Sequence, residues 1–423
     1  MDPKIYSITA REILDSRGNP TIETTVILQS GYRATASVPS GASVGKHESV
    51  ELRDHDETRF GGMGVLKAVN NVNTIIAPKL RGQESTNQKT IDEAMISLDG
   101  TPNKANLGAN SILSVSLAVA KAAAANSQMP LYRYVHAMID KNLNISLNRI
   151  PTPLFNIING GKHGAGNLDF QEFMIIPATN RSYHDGLRMG VEIYQTLKKI
   201  LTYRNAIHSV GDEGGFAPNL FTNLEALDII HQAIADSHYH FGREVFFGLD
   251  IAASHFKTLL GYQIKDKPTA LSGRDFINYI KELNAKYRLL LVEDALEEDD
   301  WSNWSQLTRE VGRDILIVGD DLLVTSVSRL QKAIDEKACN AILVKPNQVG
   351  SLSEFLSVVA LAKKNDIKII VSHRSGETVD SSIADLAVAI QSDYVKFGAP
   401  ARGERVEKYN RLLAIESDLI PAK

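Results

Sequence analysis

The sequence predicts an α/β protein: a C-terminal β/α (TIM-like) barrel with an irregular first hairpin, preceded by a smaller N-terminal α+β domain. Three observations lead there. Strand-like and then helix-like segments are segregated over the first 140 residues, the order of an α+β unit. From about residue 150, eight short apolar runs appear, most of them separated by amphipathic helical stretches, as buried parallel strands are. Six groups at the ends of these runs are ionisable, and in a barrel such ends converge on one face. The expected domains are 1–140, the α+β unit, and 141–423, the barrel.

Strands are expected at 4–14, 21–28 and 33–38, with β-branched residues and turn signals at Ser16-Arg17-Gly18-Asn19-Pro20 and Ser30-Gly31. A loop of small residues follows, Pro39-Ser40-Gly41-Ala42-Ser43-Val44-Gly45. Helical patterns cover 64–76, 89–98 and the alanine-rich 109–125. The barrel runs are 155–159, 172–176, 246–250, 289–294, 315–320, 341–345, 367–373 and 394–397. The first two lie too close together for a crossover helix, so a hairpin is expected there.

A chain of 423 residues accommodates two or three domains and a large core. Its net charge of −4, with both signs interspersed, argues against a nucleic-acid-binding surface. The single cysteine, Cys339, closes no internal disulfide and fits a reducing compartment. The opening MDPKIYSITAREILDS lacks a basic segment followed by an apolar run, so no signal peptide is expected. No stretch reaches the roughly 18 consecutive apolar residues of a membrane span.

The six strand-end groups are Asp250, Glu293, Asp320, Lys345, His373 and Lys396. Any one of them alone reads better as a buried acid or lysine paired within a structural network. Six together would cost stability unless a ligand or metal uses them. Asp250, Glu293 and Asp320 are hard oxygen ligands, better suited to Mg²⁺ than to zinc. The plainer alternative is that they cap the next helices. A lysine with its usual pKa of about 10.4 is a poor base, but a neighbouring cation lowers it. One of Lys345 and Lys396 would then take a proton and the other would hold an anion. Arg374 and Ser375, before Gly376, suit a phosphate, although Arg-Ser-Gly alone is an ordinary loop. His163 sits in a glycine loop, and Gln171 and Glu172 lie near the first runs. The stretch VGDEGGFAP sets Asp212 beside Glu213 on a glycine-rich turn, and spacing does not distinguish the two. A metal-held carboxylate, a lysine base and an acid together describe proton abstraction next to a carboxylate.

The chain resembles the enolase family from about residue 5 to 415. The motifs that carry the resemblance are DSRGNPT (15–21), VPSGAS (38–43), LGANSILSVSLA (107–118), NIINGGKH (156–163), QEFM (171–174) and GDEGGFAPN (211–219). They continue with GLDIAAS (248–254), VED (292–294), VGDDL (318–322), LVKPNQVGS (343–351), VSHRSGET (371–378) and GAPARGER (398–405). A Lys or His base with one or two Mg²⁺ ions stabilising an enediolate is the known pattern of that superfamily. The resemblance implies reversible dehydration of 2-phosphoglycerate to phosphoenolpyruvate, in glycolysis and gluconeogenesis. It makes Lys345 the C2 base and Glu213 the acid at the C3 hydroxyl, with Glu172 nearby. It makes Asp250, Glu293 and Asp320 ligands of a first Mg²⁺, and Ser43 a contact to a second Mg²⁺ recruited with substrate. His163, Gln171, Arg374, Ser375 and Lys396 line the substrate pocket. As an acid, Glu213 is expected to have a raised pKa, helped by repulsion from Asp212. The resemblance also implies a cytoplasmic homodimer or higher homo-oligomer. It further admits a secondary surface or secreted pool, with an RNA-processing assembly or a host-surface molecule as partner.

Departures from the usual family pattern are Val44, Gly164, His255, Ala295 and Val379. A racemase or cycloisomerase of the same superfamily would lack the phosphate contacts and the Ser43 loop. Schiff-base chemistry at Lys345 or Lys396 would leave the three carboxylates unexplained.

Overall fold

The computed structural model describes residues 2–41, 45–164, 166, 168–206 and 209–419. The N-terminal part opens with strands β1 (Ile5–Leu14), β2 (Pro20–Leu28) and β3 (Arg33–Ser37), an antiparallel sheet in that order. The helix Ala109–Asn126 packs on β2 and β3. Its serines and alanines let backbones approach closely, and Thr24 Oγ1 meets Ser114 Oγ at 2.7 Å in the buried seam. The helix expected at 64–76 is interrupted. It runs over Leu66–Asn71, passes through a π segment at Val72–Ile76, and continues as Ala77–Leu80. Pro78 has no N–H to offer the preceding turn, which accounts for the break in the ladder. A short helix at Leu131–His136, not expected from the pattern, follows Pro130.

The C-terminal part forms a closed eight-stranded barrel. Its strands are β4 (Thr152–Asn159), β5 (Glu172–Pro177) and β6 (Val245–Asp250), then, after a small outlying hairpin β7 (Lys257–Thr258) and β8 (Gly261–Tyr262), β9 (Leu289–Glu293), β10 (Leu316–Gly319), β11 (Ala341–Val344), β12 (Lys368–Ser372) and β13 (Tyr394–Lys396). The order round the barrel is β10-β11-β12-β13-β4-β5-β6-β9. The expected hairpin is β4–β5. The pattern did not show that β5 also runs antiparallel to β6. One reversed strand therefore stands among seven parallel ones, and its first residue, Glu172, lies at the end where the other strands finish.

Leu154, Met174, Ile176, Leu291, Val318, Leu343 and Ile370 fill the barrel interior as a cluster separate from the larger layer between strands and helices. Alternation along each strand sends every second side chain inward, so this interior is a packed core rather than a pore. No helix among the described residues is long and apolar enough to cross a membrane.

Candidate active site

Asp250 ends β6 and is paired in register with Glu293 at the end of β9. Asp320 follows β10, Lys345 follows β11, His373 follows β12, and Lys396 ends β13. Glu172 faces Asp250 across the β5–β6 pair. All six expected strand-end groups thus gather at one mouth, with Glu172 delivered by the reversed strand. None of the three expected metal ligands caps a helix. Ser182, Thr222, Ser272, Ser326 and Ser351 take that role through their side-chain oxygens.

Lys396 is the electrostatic centre of this cluster. Its Nζ lies 2.8 Å from Glu293 Oε2, 3.2 Å from Asp250 Oδ2 and 3.1 Å from Glu172 Oε2. Burial opposes its charge, but Asp250, Glu172 and Glu293 outweigh that and hold the ammonium well above its ordinary pKa. Gln171 Nε2 donates to Asp250 Oδ2 at 3.1 Å. Lys345 Nζ donates to Asp320 Oδ2, and Gln348 Nε2 donates to Asp320 Oδ1 at 3.1 Å. Two opposed effects from the protein's own groups set the pKa of Lys345. Burial lowers it, but the ion pair with Asp320 prevails and the pKa is raised.

Glu213 reaches the mouth from the loop after the helix Tyr183–Tyr203. Gly214 has φ of +86°, a region that favours glycine, and a Cβ on Gly215 would lie 2.2 Å from Asn159 Oδ1. The two glycines therefore answer the turn and the close approach that VGDEGGFAP suggested. Glu213 accepts from Asn156 Nδ2 at 3.0 Å and from Ser375 Oγ at 3.1 Å. His163 Nδ1 stands 3.4 Å from both Glu213 Oε1 and Glu172 Oε1, and His373 Nε2 is 3.4 Å from Glu213 Oε2. Arg405, fully buried, donates to His373 Nδ1 at 2.7 Å, which leaves the ring hydrogen on Nε2, facing Glu213. Asp212 is half-buried, and its backbone carbonyl accepts from Arg405.

The raised pKa expected at Glu213 is found instead at Glu172. Burial raises Glu213, but His163, His373 and Arg405 outweigh it and hold the carboxyl well below its usual range. Burial and the negative Glu213 push Glu172 up to about 7. The two carboxyls divide in this way because positive groups and donors crowd Glu213, while at Glu172 burial and the negative Glu213 outweigh Lys396. Burial also pushes His373 down to about 3.

Arg374 and Ser375 occupy the same rim. Ser375 Oγ bridges His163 Nε2 and Glu213 Oε1, both at 3.1 Å. Arg374 Nη1 donates to Glu48 Oε2 at 2.8 Å. His163, Gln171, Glu172, Glu213, Asp250, Asp320, Lys345, Arg374, Ser375 and Lys396 line one cavity of about 30 Å³. A far larger cavity, of about 520 Å³, lies at the opposite end of the barrel and touches none of these groups. Burial and charge, rather than size, mark the chemistry. Ser43 and Val44 lie outside the described residues. Gly164 has a steric reason, since a Cβ there would lie 2.5 Å from Asn159 O.

Several groups at this mouth had no role assigned from the sequence. Asp294 accepts the backbone N–H groups of Asp320 and Asp321 at 3.0 and 2.8 Å. The doubled acids VED and GDD were the available signal. Glu48 lies outside the motifs that carry the resemblance, and LVKPNQVGS and GAPARGER contain Gln348 and Arg405 without showing what they do, because their partners are about 30 to 330 residues away.

Asp250, Glu293 and Asp320 fit Mg²⁺ in their chemistry. They are three buried carboxylates, and Asp250 Oδ1 has no hydrogen-bond partner although it is shut off from solvent. Burial and neighbouring Asp250 push Glu293 well above the carboxylate range, a strain that a divalent cation relieves. Among the described residues, the acid groups at this mouth with ligand atoms within 4.8 Å of one another are His163–Glu172–Glu213 and Asp294–Asp320–Asp321. The expected trio is not so tight, because Lys396 stands between Asp250 and Glu293.

The sequence profile of the enolase C-terminal TIM barrel domain matches residues 148–422, and that of the enolase N-terminal domain matches residues 5–135. The chain belongs to the enolase family. An enolase of Helicobacter pylori strain J99 is 50% identical over 420 residues, covering 98% of this chain and 96% of that one. An enolase of strain 26695 is 49% identical over 416 residues, with the same coverage. Enolases are lyases, the phosphopyruvate hydratases of EC 4.2.1.11, and this chain is an enzyme of that class. The family is in general Mg²⁺-dependent, in keeping with the acid groups at the mouth.

Proposed function

We propose that the chain catalyses the reversible, Mg²⁺-dependent dehydration of 2-phosphoglycerate to phosphoenolpyruvate, with Lys345 as the C2 base and Glu213 as the acid at the C3 hydroxyl. The observation that carries this reading is that Lys345 and Glu213, from separate elements, line one cavity with three metal-type carboxylates and Arg374. Bound at Asp250, Glu293 and Asp320, Mg²⁺ would neutralise the charge that develops on the substrate carboxylate when the C2 proton leaves. Ser43 would contact a second Mg²⁺ arriving with substrate. Lys396 stays charged among its carboxylates and holds the substrate carboxylate electrostatically. Lys345, its pKa lowered once Mg²⁺ draws on Asp320, would release its ammonium proton to solvent and then take the C2 proton in neutral form. Arg374 and Ser375 hold the phosphate, and His163 and Gln171 fix the pocket wall.

Departure of the C3 hydroxyl as water needs a proton at that oxygen. Glu172 and Glu213 share His163 as a neighbour, so the pair holds that proton and Glu213 delivers it. In this scheme Glu172 is the reservoir, as its pKa near 7 suggests. The proposed setting is a cytoplasmic homodimer or higher homo-oligomer. Purified protein supplied with Mg²⁺ and 2-phosphoglycerate should generate the absorbance of phosphoenolpyruvate, and EDTA should abolish it. Folded protein that shows no such absorbance overturns the reading.

A further inference from the structure

The segment 46–48, which follows the small-residue loop in sequence, clasps the barrel mouth by charge. Lys46 Nζ lies 2.8 Å from Glu298 Oε1 and His47 Nε2 lies 3.5 Å from Asp299 Oδ1, both on the loop after β9. Glu48 points the other way. Its Oε2 accepts from Arg374 Nη1 at 2.8 Å and its Oε1 from Arg374 Nη2 at 3.3 Å, a fork-on-fork pair. Both side chains are almost fully buried, at 4% and 5% exposure, so the pair is not an ordinary surface salt bridge. Glu48 Oε1 also accepts from the backbone N–H of Gly45 at 2.9 Å and from Gln348 Nε2 at 3.4 Å. Gln348 Nε2 in turn donates to Asp320 Oδ1, and Gln348 Oε1 accepts from Thr325 Oγ1 at 2.5 Å. A carboxylate from the small N-terminal part is thereby wired to the arginine of the rim and, through one glutamine, to the carboxylate paired with Lys345.

We infer that Glu48 is a positioning residue for Arg374: it fixes the guanidinium plane in the orientation that meets the substrate phosphate. This rests on the reading of Arg374 as the phosphate contact. An arginine has five donors in one rigid plane, and a bidentate carboxylate occupying one edge restricts its rotation without using all of them. A long side chain loses conformational freedom when it binds, and a partner that orders it beforehand removes that cost from substrate binding. The effect should therefore fall on ligands that carry phosphate and spare those that do not.

The test uses the full-length enzyme loaded with Mg²⁺ and the Glu48→Gln variant, which keeps the shape and loses the charge. KM for 2-phosphoglycerate and the competitive inhibition constant of inorganic phosphate should each rise about tenfold, the order of one weakened charge-assisted contact. Turnover at saturation should change by less than about threefold, and inhibition by D-glycerate, the same acid without its phosphate, should be unchanged. Glu48→Asp, one methylene short of Arg374, should shift in the same direction by less, and it supplies the measurement if the glutamine variant does not fold. Unchanged phosphate inhibition, or an equal loss for D-glycerate, overturns the inference and leaves Glu48 a structural clasp. Tighter phosphate binding also overturns it, because Glu48 would then compete with the phosphate. An inactive parent enzyme that still binds phosphate in a Glu48-dependent manner by calorimetry would overturn the proposed reaction and not this role.

Discussion

The two ends of the barrel are built from the same strands with opposite chemistry. At the mouth, Glu172, Asp250, Glu293 and Asp320 are buried around two lysines, and Glu293 is pushed well above its ordinary pKa by burial and Asp250. At the floor, Leu290, Leu316 and Tyr394 line a broad cavity where several charges are paired. Arg149 and Lys368 both meet Asp393, at 3.3 and 3.4 Å, and Arg181 pairs with Glu244 beside it. The difference teaches where free energy is invested. The floor and interior stabilise the barrel, whereas the mouth holds like charges together for the sake of a ligand.

Substitutions at the mouth should abolish chemistry and those at the floor should alter only stability. The largest effect is expected for Lys345→Ala. Dehydration should fall by at least about 10²–10⁴-fold, and exchange of the C2 proton with solvent, followed by NMR, should vanish with it. Glu213→Gln should block dehydration while some C2 exchange survives. Equal loss of exchange in both variants would break the division of labour between base and acid. Leu154→Ala, in the interior cluster, should cost about 2–5 kcal/mol in denaturant unfolding, with turnover per folded molecule close to that of the parent. Arg149→Ala, at the half-exposed floor pair with Asp393, should cost less than about 1 kcal/mol. The smallest effect is expected at Cys339, before β11 on the floor side. Burial pushes its thiol up to about 12, so a thiol reagent at neutral pH should label it only as fast as the protein unfolds. Rapid labelling of native protein would show that this end opens locally.

Much of the mouth was legible because a barrel turns order along the chain into position in space. An ionisable residue directly after an apolar run must emerge at the strand end, so Asp250, Glu293, Asp320, Lys345 and Lys396 could be read off one by one. Glu172 begins its run instead of ending it, and only the reversed direction of β5 brings it to the same face. Glu48 and Arg405 show nothing of their roles locally, since their meaning lies in Arg374 and His373, far along the chain. The break at Val72–Ile76 had a local cause in Pro78, but the helical period runs through it undisturbed.

By itself the sequence determined the α/β class, the eight barrel runs and the identity of most groups at the mouth. These follow from short-range periodicity and from motif resemblance, which one chain displays without folding. The tertiary structure alone decided which carboxyl of a pair has its pKa raised and which has it lowered. Glu172 and Glu213 are the same residue type, and both are buried. They differ in the balance of what surrounds them: Glu213 and Asp250 against Lys396 around the first, His163, His373 and Arg405 around the second. A local electrostatic field is a sum over neighbours, and neighbours that come from six separate segments exist only once the chain has closed.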